Sequence, residues 1–279
     1  MPTVEANGIE TYYERHGEGP PLVCLPGGGF DHRSWYPQVE GLSDEFELIL
    51  LDPRGHGKTG YEENEGIGID VLASDLSSFI DQLGLQQPAV MGCSLGGLVA
   101  HAYATEEPSD VGALVLHEAP VGNSDVPLPM RMWQLFQLWG SRVLSPDRIF
   151  AFQQWINSHS NGSDEWADQR IPHTSLTKDE YLDDAFSRID SEVMVRGGSM
   201  LQYEATNLET ITSPTLVLTG EQPGEFFKES AAEFTNRIPM SRYERVPNAG
   251  HLGHIDNPEV FNEMVSRFLR EVYVGKGAV

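Results

Sequence analysis

The sequence predicts an α/β fold in which helices cover both faces of a mostly parallel sheet. Short apolar runs of strand length alternate with longer segments whose apolar residues recur at helical spacing. Such alternation implies right-handed crossovers between parallel strands. The pattern breaks between residues 123 and 208, where prolines punctuate segments of helical character. We therefore expect an α/β core formed by residues 1–122 and 209–279, interrupted by a helical cap at residues 123–208.

The individual elements follow from local patterns. Residues 3–6 and 9–14 flank Asn7-Gly8, a dipeptide typical of two-residue hairpin turns. Further strands are expected in the apolar runs at 22–25, 46–51, 88–91, 112–116, 215–218 and 242–246. Helices are expected at 69–83, 95–104, 225–238 and 258–272. Open α/β sheets bind their ligands at the carboxyl ends of the strands, so the loops after these strands should carry the functional residues, with the cap above them.

Charge limits the partners that the chain can have. Its 279 residues include 42 acidic and 18 basic side chains, for a formal net charge of -24. Such a chain repels nucleic acid and anionic membrane surfaces, so neither is expected as a partner. The acidic residues are dispersed and lysine is scarce, which is typical of halophilic proteins from a high-salt cytoplasm, where salt screens the self-repulsion. An ordinary acidic bacterial enzyme is the alternative.

The sequence favours a cytoplasmic protein. Its first residues lack the basic and apolar regions of a secretory signal. No apolar run reaches the length that a membrane-spanning helix needs. Cys24 and Cys93 lie in strand-like segments and are expected to be buried free thiols. The sequence does not indicate an oligomeric state.

Gly92-Cys93-Ser94-Leu95-Gly96 matches the G-x-S-x-G pattern between an apolar strand and an apolar helix. A serine on a sharp strand-to-helix turn needs small neighbours, because the backbone folds back tightly there. The helix that follows directs free N–H groups and its positive dipole end towards developing negative charge. Ser94 is therefore predicted to be a nucleophile; a simple N-cap is the alternative.

His251 is the candidate general base. It follows Gly250 on the loop after the last predicted strand, within reach of a serine at the same sheet edge. There it can accept the serine proton and later return it to the leaving group. His254 is a rival, but Gly250 permits the close approach that His251 needs.

Together these segments resemble the α/β-hydrolase superfamily over essentially the whole chain. The matching segments are Pro26-Gly27-Gly28, Asp52-Pro53-Arg54-Gly55-His56-Gly57, Gly92-Cys93-Ser94-Leu95-Gly96 and Gly250-His251. The resemblance implies an oxyanion hole made by the backbone amides of Gly28 and Leu95. Pro26 stands where this family usually has histidine, but the chemistry uses a backbone N–H and does not require that side chain.

The acid of the triad departs from the family pattern. Most members carry Asp in a turn after the seventh strand, where this chain has Gly220-Glu221-Gln222-Pro223. Glu118, at the end of the sixth strand, can instead accept the imidazole Nδ1–H, because either strand end can serve. The Pro-x-Gly and Gly-Cys-Ser motifs, His117-Glu118-Ala119-Pro120 and the turn without Asp occur together in this chain. This combination is similar to the zearalenone-lactonase-like branch of the family. We expect Glu118 to be the acid, with Glu221 and Glu225 as alternatives.

These residues predict a serine esterase or lactonase that acts on a moderately hydrophobic small molecule. Aromatic side chains of the cap segment could line an apolar substrate pocket, although packing within the cap is the alternative. The candidate pocket residues are Trp133, Phe136, Trp155 and Trp166. Perhydrolysis or carbon–carbon bond hydrolysis on the same triad, or ligand binding without catalysis, are the other functions considered.

No cofactor or metal is expected from the sequence. The histidines show no i, i+4 pair with a nearby carboxylate of the zinc-site type. The Gly27-Gly28-Gly29 run lacks both the P-loop lysine and the dinucleotide-binding spacing. His56, His101 and His117 are interpreted as structural.

Overall fold

The computed structural model describes residues 2–61, 67–122, 132, 144, 168–189, 193, 203–221 and 223–275. These residues contain an eight-stranded sheet in the order β1-β2-β4-β3-β5-β6-β7-β8. The strands are β1 Thr3–Ala6, β2 Ile9–His16, β3 Pro21–Leu25, β4 Glu47–Leu51, β5 Ala89–Cys93, β6 Ala113–His117, β7 Thr215–Gly220 and β8 Ser241–Val246. The predicted α/β class and the position of every predicted strand are confirmed.

The sheet is parallel from β4 to β8, and its first two strands run antiparallel to their neighbours. β1 and β2 form the predicted hairpin. Its two central residues, Asn7 and Gly8, have φ of 49° and 79°. Positive φ at both positions is the requirement of a type I′ turn, whose twist matches that of the strands.

The helices of the described residues cover both faces of the sheet. They are α1 Tyr36–Leu42, α2 Ile69–Gln82, α3 Leu95–Glu106, α4 Lys178–Ser187, α5 Glu225–Arg237, α6 Gly253–Asp256 and α7 Pro258–Gly275. In β3, Val23 belongs to the core under α2 and α3, and Leu22 belongs to the core under α1 and α7. Burial on both faces explains why the strands are continuous apolar runs instead of alternating patterns.

Two short helices around the sheet edge could not be predicted from the spacing of apolar residues. α1 has seven residues and α6 has four, fewer than a 3.6-residue repeat needs to become visible. A 3₁₀ turn at His32–Trp35 leads into α1. α6 lies between His251 and α7, where the sequence indicated only a loop.

One described part of the predicted cap lies on the loop that follows β3. α4 begins with a capping box formed by Thr177 and Glu180. The Tyr181 hydroxyl donates to the carbonyl oxygen of Asp31 at 3.3 Å. Arg33 forms an ion pair with Asp184 at 2.7 Å. α4 thus covers part of the edge where a cap was expected, and the cap boundaries at 123 and 208 remain a prediction.

Among the helices that the structure describes, not one has the length and apolar character needed to cross a bilayer.

Candidate active site

The turn from β5 to α3 holds Ser94 in a conformation that non-glycine residues rarely adopt. Ser94 has φ of 50° and ψ of -114°. Backbone strain of this kind costs about 1–3 kcal/mol and persists only where the surroundings impose it. The backbone around Ser94 is packed so closely that only glycine fits at two positions. A Cβ on Gly92 would lie 2.2 Å from the Gly96 carbonyl oxygen, and a Cβ on Gly96 would lie 2.2 Å from the Leu25 carbonyl oxygen. The sequence prediction of small neighbours around Ser94 therefore has a steric basis.

Gly92→Ala is expected to destabilise the protein by about 3 kcal/mol or more, because its methyl group must displace backbone and not a flexible side chain. Gly60→Ala is the matched control, since a Cβ there meets no heavy atom within 4 Å and Gly60 does not adopt positive φ. Urea unfolding of both variants measures the difference. Equal unfolding free energies for the two variants would contradict the steric account.

Backbone hydrogen bonds tie the β5 turn to the end of β6. The Ser94 amide donates to the carbonyl oxygen of His117 at 2.9 Å, and the Glu118 amide donates to that of Leu218 at 2.9 Å. Glu118 also has positive φ, 45°, which turns the chain as it leaves the strand. Its carboxylate is buried, and Oε1 accepts a 2.7 Å hydrogen bond from the amide of Gly220.

The other carboxylate oxygen of Glu118 faces His251. Glu118 Oε2 lies 3.4 Å from His251 Nδ1, and the two residues are separated by 133 positions in sequence. The Glu118 side chain is 1% exposed, whereas that of His251 is 41% exposed. The contact is long for a hydrogen bond to a charged group, as is common in free enzymes whose catalytic contacts tighten on substrate binding. The structure thus brings together the acid and base that were chosen from sequence.

The two alternative acids have other partners. Glu221 Oε2 accepts a 2.9 Å hydrogen bond from the amide of Asn248. Glu225 pairs with Lys228 at 3.2 Å, and its side chain is 75% exposed. His254, the rival base, is buried, with 1% of its surface exposed. These placements favour Glu118 and His251 over the alternatives.

A buried ion pair supports the His251 loop, and sequence analysis did not identify it. Asp256 accepts the Gly250 amide at 2.9 Å through Oδ2 and Lys178 Nζ at 2.6 Å through Oδ1. The Lys178 and Asp256 side chains are 5% and 1% exposed. A buried pair of this kind is costly to break, because either charge alone would be left uncompensated. The 78-residue separation of the two side chains left no signal in the sequence.

Aromatic side chains near the site also went unpredicted. The Phe227 ring lies 4.8 Å from the His251 ring. Phe186 of α4 packs on Phe30 at 5.5 Å and closes over Gly29. The pocket residues predicted from sequence, Trp133, Phe136, Trp155 and Trp166, lie outside the described residues.

The predicted oxyanion residues are neighbours. A Cβ built on Gly28 would contact the Leu95 side chain at 3.4 Å. Leu95 is the first residue of α3, where amides have no acceptor within the helix. Gly28 therefore lies against Leu95, the residue after Ser94, and the oxyanion hole formed by their amides stays a prediction.

A buried cluster of charges anchors the start of the helix after the β3 loop. Asp52 accepts the His32 amide at 2.7 Å, His32 Nδ1 at 2.8 Å and the Lys58 amide at 2.9 Å. His32 Nε2 lies 3.3 Å from Glu14 Oε1. Burial opposes a charge on the imidazole, but hydrogen bonds to Asp52 and Glu14 outweigh it and raise the pKa of His32 to about 9. The cluster fixes the segment that carries Gly28 against the Asp52 loop.

This raised pKa predicts a pH-dependent contribution to stability. In the folded state His32 keeps its proton up to about pH 9, whereas in the unfolded chain it loses it near its usual pKa of about 6.5. The contribution, about 3 kcal/mol, is fully present below pH 6.5 and is lost as pH rises towards 9. In urea titrations from pH 6 to 9.5, the stability gap between wild type and His32→Gln should shrink.

His16 provides the control for that experiment, because it lies 3.1 Å from the same Glu14 but is partly exposed. His16→Gln should produce a smaller gap. A gap for His32→Gln that stays constant across this pH range would contradict a charged His32.

Comparison with known proteins agrees with the fold and places the chain in a family. The family model described as the alpha/beta hydrolase fold matches residues 20–258. A putative carbamate hydrolase RutD of Rhizobium rhizogenes is 32% identical, over 93% of this chain and 97% of its own. A putative 2-succinyl-6-hydroxy-2,4-cyclohexadiene-1-carboxylate synthase of Bacillus subtilis is 29% identical, over 90% of each chain.

A solved structure resembles the whole molecule. The thermophilic esterase from Thermogutta terrifontis superimposes with a TM-score of 0.79 at 24% identity, over 98% of this chain and 99% of that one. The relatives carry different activities in their names, so the shared fold does not by itself fix a substrate. What the match over residues 20–258 does fix is the family: the chain belongs to the α/β-hydrolase fold family.

Proposed function

We propose that this protein hydrolyses carboxylic esters or lactones of moderately hydrophobic small molecules through an acyl-enzyme on Ser94. The observation that carries the proposal is the approach of His251 Nδ1 to the buried Glu118 carboxylate, at the same sheet edge as the strained Ser94 turn. That arrangement leaves Nε2 as the imidazole nitrogen that can serve the nucleophile. A nucleophile, a base and an orienting acid are the parts that acyl transfer needs.

In the first half of the proposed reaction, His251 Nε2 takes the Ser94 proton as Oγ attacks the substrate carbonyl carbon. Glu118 accepts the Nδ1–H and stabilises the imidazolium that forms. The amides of Gly28 and Leu95 donate to the oxyanion, and each such donor contributes about 2.7–4 kcal/mol to transition-state stabilisation. The imidazolium then returns the proton to the leaving alcohol as the carbon–oxygen bond breaks.

In the second half, His251 activates a water that attacks the acyl-enzyme, and Ser94 regains its proton as the acid product leaves. Serine at this position distinguishes the chemistry from dehalogenation and epoxide opening, which need an alkylatable carboxylate. The net charge of -24 repels anions. Neutral esters and lactones are therefore the preferred substrate class.

A fluorophosphonate probe tests the nucleophile directly, because it reacts with serines that a base activates. We expect about one probe per chain, attached to the tryptic peptide that contains Ser94, and parallel loss of p-nitrophenyl butyrate hydrolysis. Labelling at another residue, or ester turnover that survives complete labelling, would overturn the proposal.

A substrate panel then separates the possible reactions. It contains p-nitrophenyl acetate, butyrate and octanoate, an aryl lactone, an N-aryl carbamate, a dienoic diketone, and peroxide with acetate. Preference for the esters or the lactone supports the proposal. Exclusive turnover of the diketone or of peroxide with acetate would indicate carbon–carbon hydrolysis or perhydrolysis, and no turnover with no labelling would indicate a binding protein.

A further inference from the structure

Three buried side chains meet directly beneath the candidate active site. They are the thiol of Cys93 and the imidazoles of His117 and His254, whose ligand atoms all lie within 4.8 Å of one another. Each is close in sequence to one catalytic candidate. Cys93 precedes Ser94, His117 precedes Glu118, and His254 follows His251 by three residues.

Three of the four imidazole nitrogens of this cluster make no well-formed hydrogen bond among the described residues. Both ring nitrogens of His117 and Nδ1 of His254 are buried without a partner in hydrogen-bond geometry. The carbonyl groups of Leu218 and His251 lie near the His117 ring without reaching that geometry, whereas Nδ1 of His254 has no such neighbour among the described residues. An unsatisfied buried donor or acceptor costs about 1–3 kcal/mol, so His254 Nδ1 in particular requires a physical explanation. Burial lowers the pKa of His117 to about 4 and that of His254 well below its usual value, so both rings are neutral near pH 7.

The surroundings of the cluster are aromatic. The Trp35 ring lies 4.6 Å from the His254 ring, and the Phe261 ring lies 5.1 Å from the His117 ring. These rings supply no hydrogen-bond partner, so the polar neighbours of His117 are backbone carbonyl groups, those of Leu218 and His251.

A second group of possible ligands differs in its charge balance. Asp31, His32 and Asp52 are also buried and close together. His32 Nδ1 is bonded to Asp52 at 2.8 Å, and Asp31 is bonded to the Arg33 guanidinium. The charges of that group are balanced by protein partners, so it needs no ion.

We propose that Cys93, His117 and His254 form a binding site for a Zn²⁺-class metal ion. A thiolate and neutral imidazoles are the ligands that Zn²⁺ prefers. An ion equidistant from three atoms 4.8 Å apart lies about 2.8 Å from each, so each ligand moves in by less than about 1 Å to reach Zn–S and Zn–N bonds of about 2.3 and 2.0–2.1 Å. Binding releases the Cys93 thiol proton, and a small ligand completes the tetrahedron.

The second shell and the charge balance suit a cation at this place. The carbonyl groups of Leu218 and His251 act on the His117 ring, and a metal-bound imidazole commonly directs its other N–H to a backbone carbonyl. Burial raises the pKa of the Cys93 thiol, and the carboxylates of Glu118 and Asp256 raise it further. A bound cation would offset both effects, because the carboxylates favour the net positive charge that Zn²⁺ and one thiolate leave behind.

The ion would link β5, β6 and α6, the short helix that begins two residues after His251. The proposed nucleophile and acid directly follow the two strands, and the proposed base lies two residues before the helix. The metal would therefore hold the triad in register without touching the substrate, and its ligands would be positioning residues.

Cobalt binding tests the site with a readout that does not depend on activity. The full-length protein is stripped with a chelator and titrated with Co²⁺, whose thiolate complexes give a charge-transfer absorption band. We expect this band at about one Co²⁺ per chain for the wild type, and its displacement by Zn²⁺. Cys93→Ser should abolish the band.

Cys24→Ser is the matched control. Cys24 is equally buried in the neighbouring strand β3, with its thiol directed at the Leu22 carbonyl, and it is not part of the ligand cluster. This variant should keep the full band, and Zn²⁺ should raise its melting temperature as it does for the wild type. His254→Gln provides a second loss variant if Cys93→Ser does not fold.

No thiolate-to-cobalt band in the wild type, or an equal band in Cys93→Ser or His254→Gln, would overturn the site. If a buried water occupies the site instead of a metal ion, the wild type would show no cobalt band. Because the readout is metal binding, such a failure would leave the serine-hydrolase proposal intact. Conversely, a metal-binding protein that resists the fluorophosphonate probe would retain the site and lose the proposed function.

Discussion

Ser94→Ala is expected to lower kcat for p-nitrophenyl butyrate hydrolysis by about 10⁶-fold, because catalysis by a triad depends on the nucleophile as part of one unit. What remains should be about 10³–10⁴-fold above the uncatalysed rate, supplied by the oxyanion amides and by binding. Alanine places its Cβ where serine has its own, so the strained turn keeps its backbone contacts. Steady-state kinetics of wild type and variant provide the measurement.

Ser74→Ala is the control for this variant, since Ser74 is an exposed helical serine whose hydroxyl donates to the Asp70 carbonyl. It should retain wild-type kcat. Melting curves of both variants should lie close to that of the wild type. Ser94→Ala with more than about one-tenth of wild-type kcat would refute an acyl-enzyme on this residue.

The strands and the nucleophile turn could be predicted because their signals are local. A run such as Leu22–Leu25 is apolar because both sheet faces are covered, and the glycines around Ser94 are fixed by contacts within a few residues or with the adjacent strand. The sequence boundaries of β5 and α3 were accurate to about two residues for the same reason.

The choice of acid was open in sequence because three glutamates follow β6 and β7 at plausible positions. The sheet decides between them: the Gly220 amide from β7 holds the Glu118 carboxylate beside His251, whereas Glu221 turns to Asn248. Which strand end faces the base depends on twist and register, and neither is encoded in a short motif.

Contacts between distant segments left no sequence signal at all. Lys178 meets Asp256, and His32 meets both Asp52 and Glu14, only because the chain returns to the same sheet edge. The group of Cys93, His117 and His254 is of the same kind. Each member looks structural when considered alone, and only the parallel order of β5 and β6 brings them together.

Glu118→Ala is expected to lower kcat by about 10⁴-fold, because the imidazole loses the group that fixes its tautomer and stabilises its charged form. The effect is smaller than that of losing Ser94, since His251 can still act as a base in a less favourable orientation. The variant should remain folded. Its cost to stability includes the Gly220 amide, which loses a buried acceptor worth about 1–3 kcal/mol.

Glu221→Ala is the matched comparison for this experiment. Glu221 lies one residue beyond β7, near the position where most family members carry the acid, and it bonds the Asn248 amide on the loop that carries His251. It is exposed, so its removal should change kcat by less than about threefold and leave KM unaltered. The ratio between the kcat values of the two variants, and not either value alone, identifies the acid. A large loss in Glu221→Ala with near-normal turnover in Glu118→Ala would transfer the role to the seventh strand, and the 3.4 Å contact between Glu118 and His251 would then be a packing contact only.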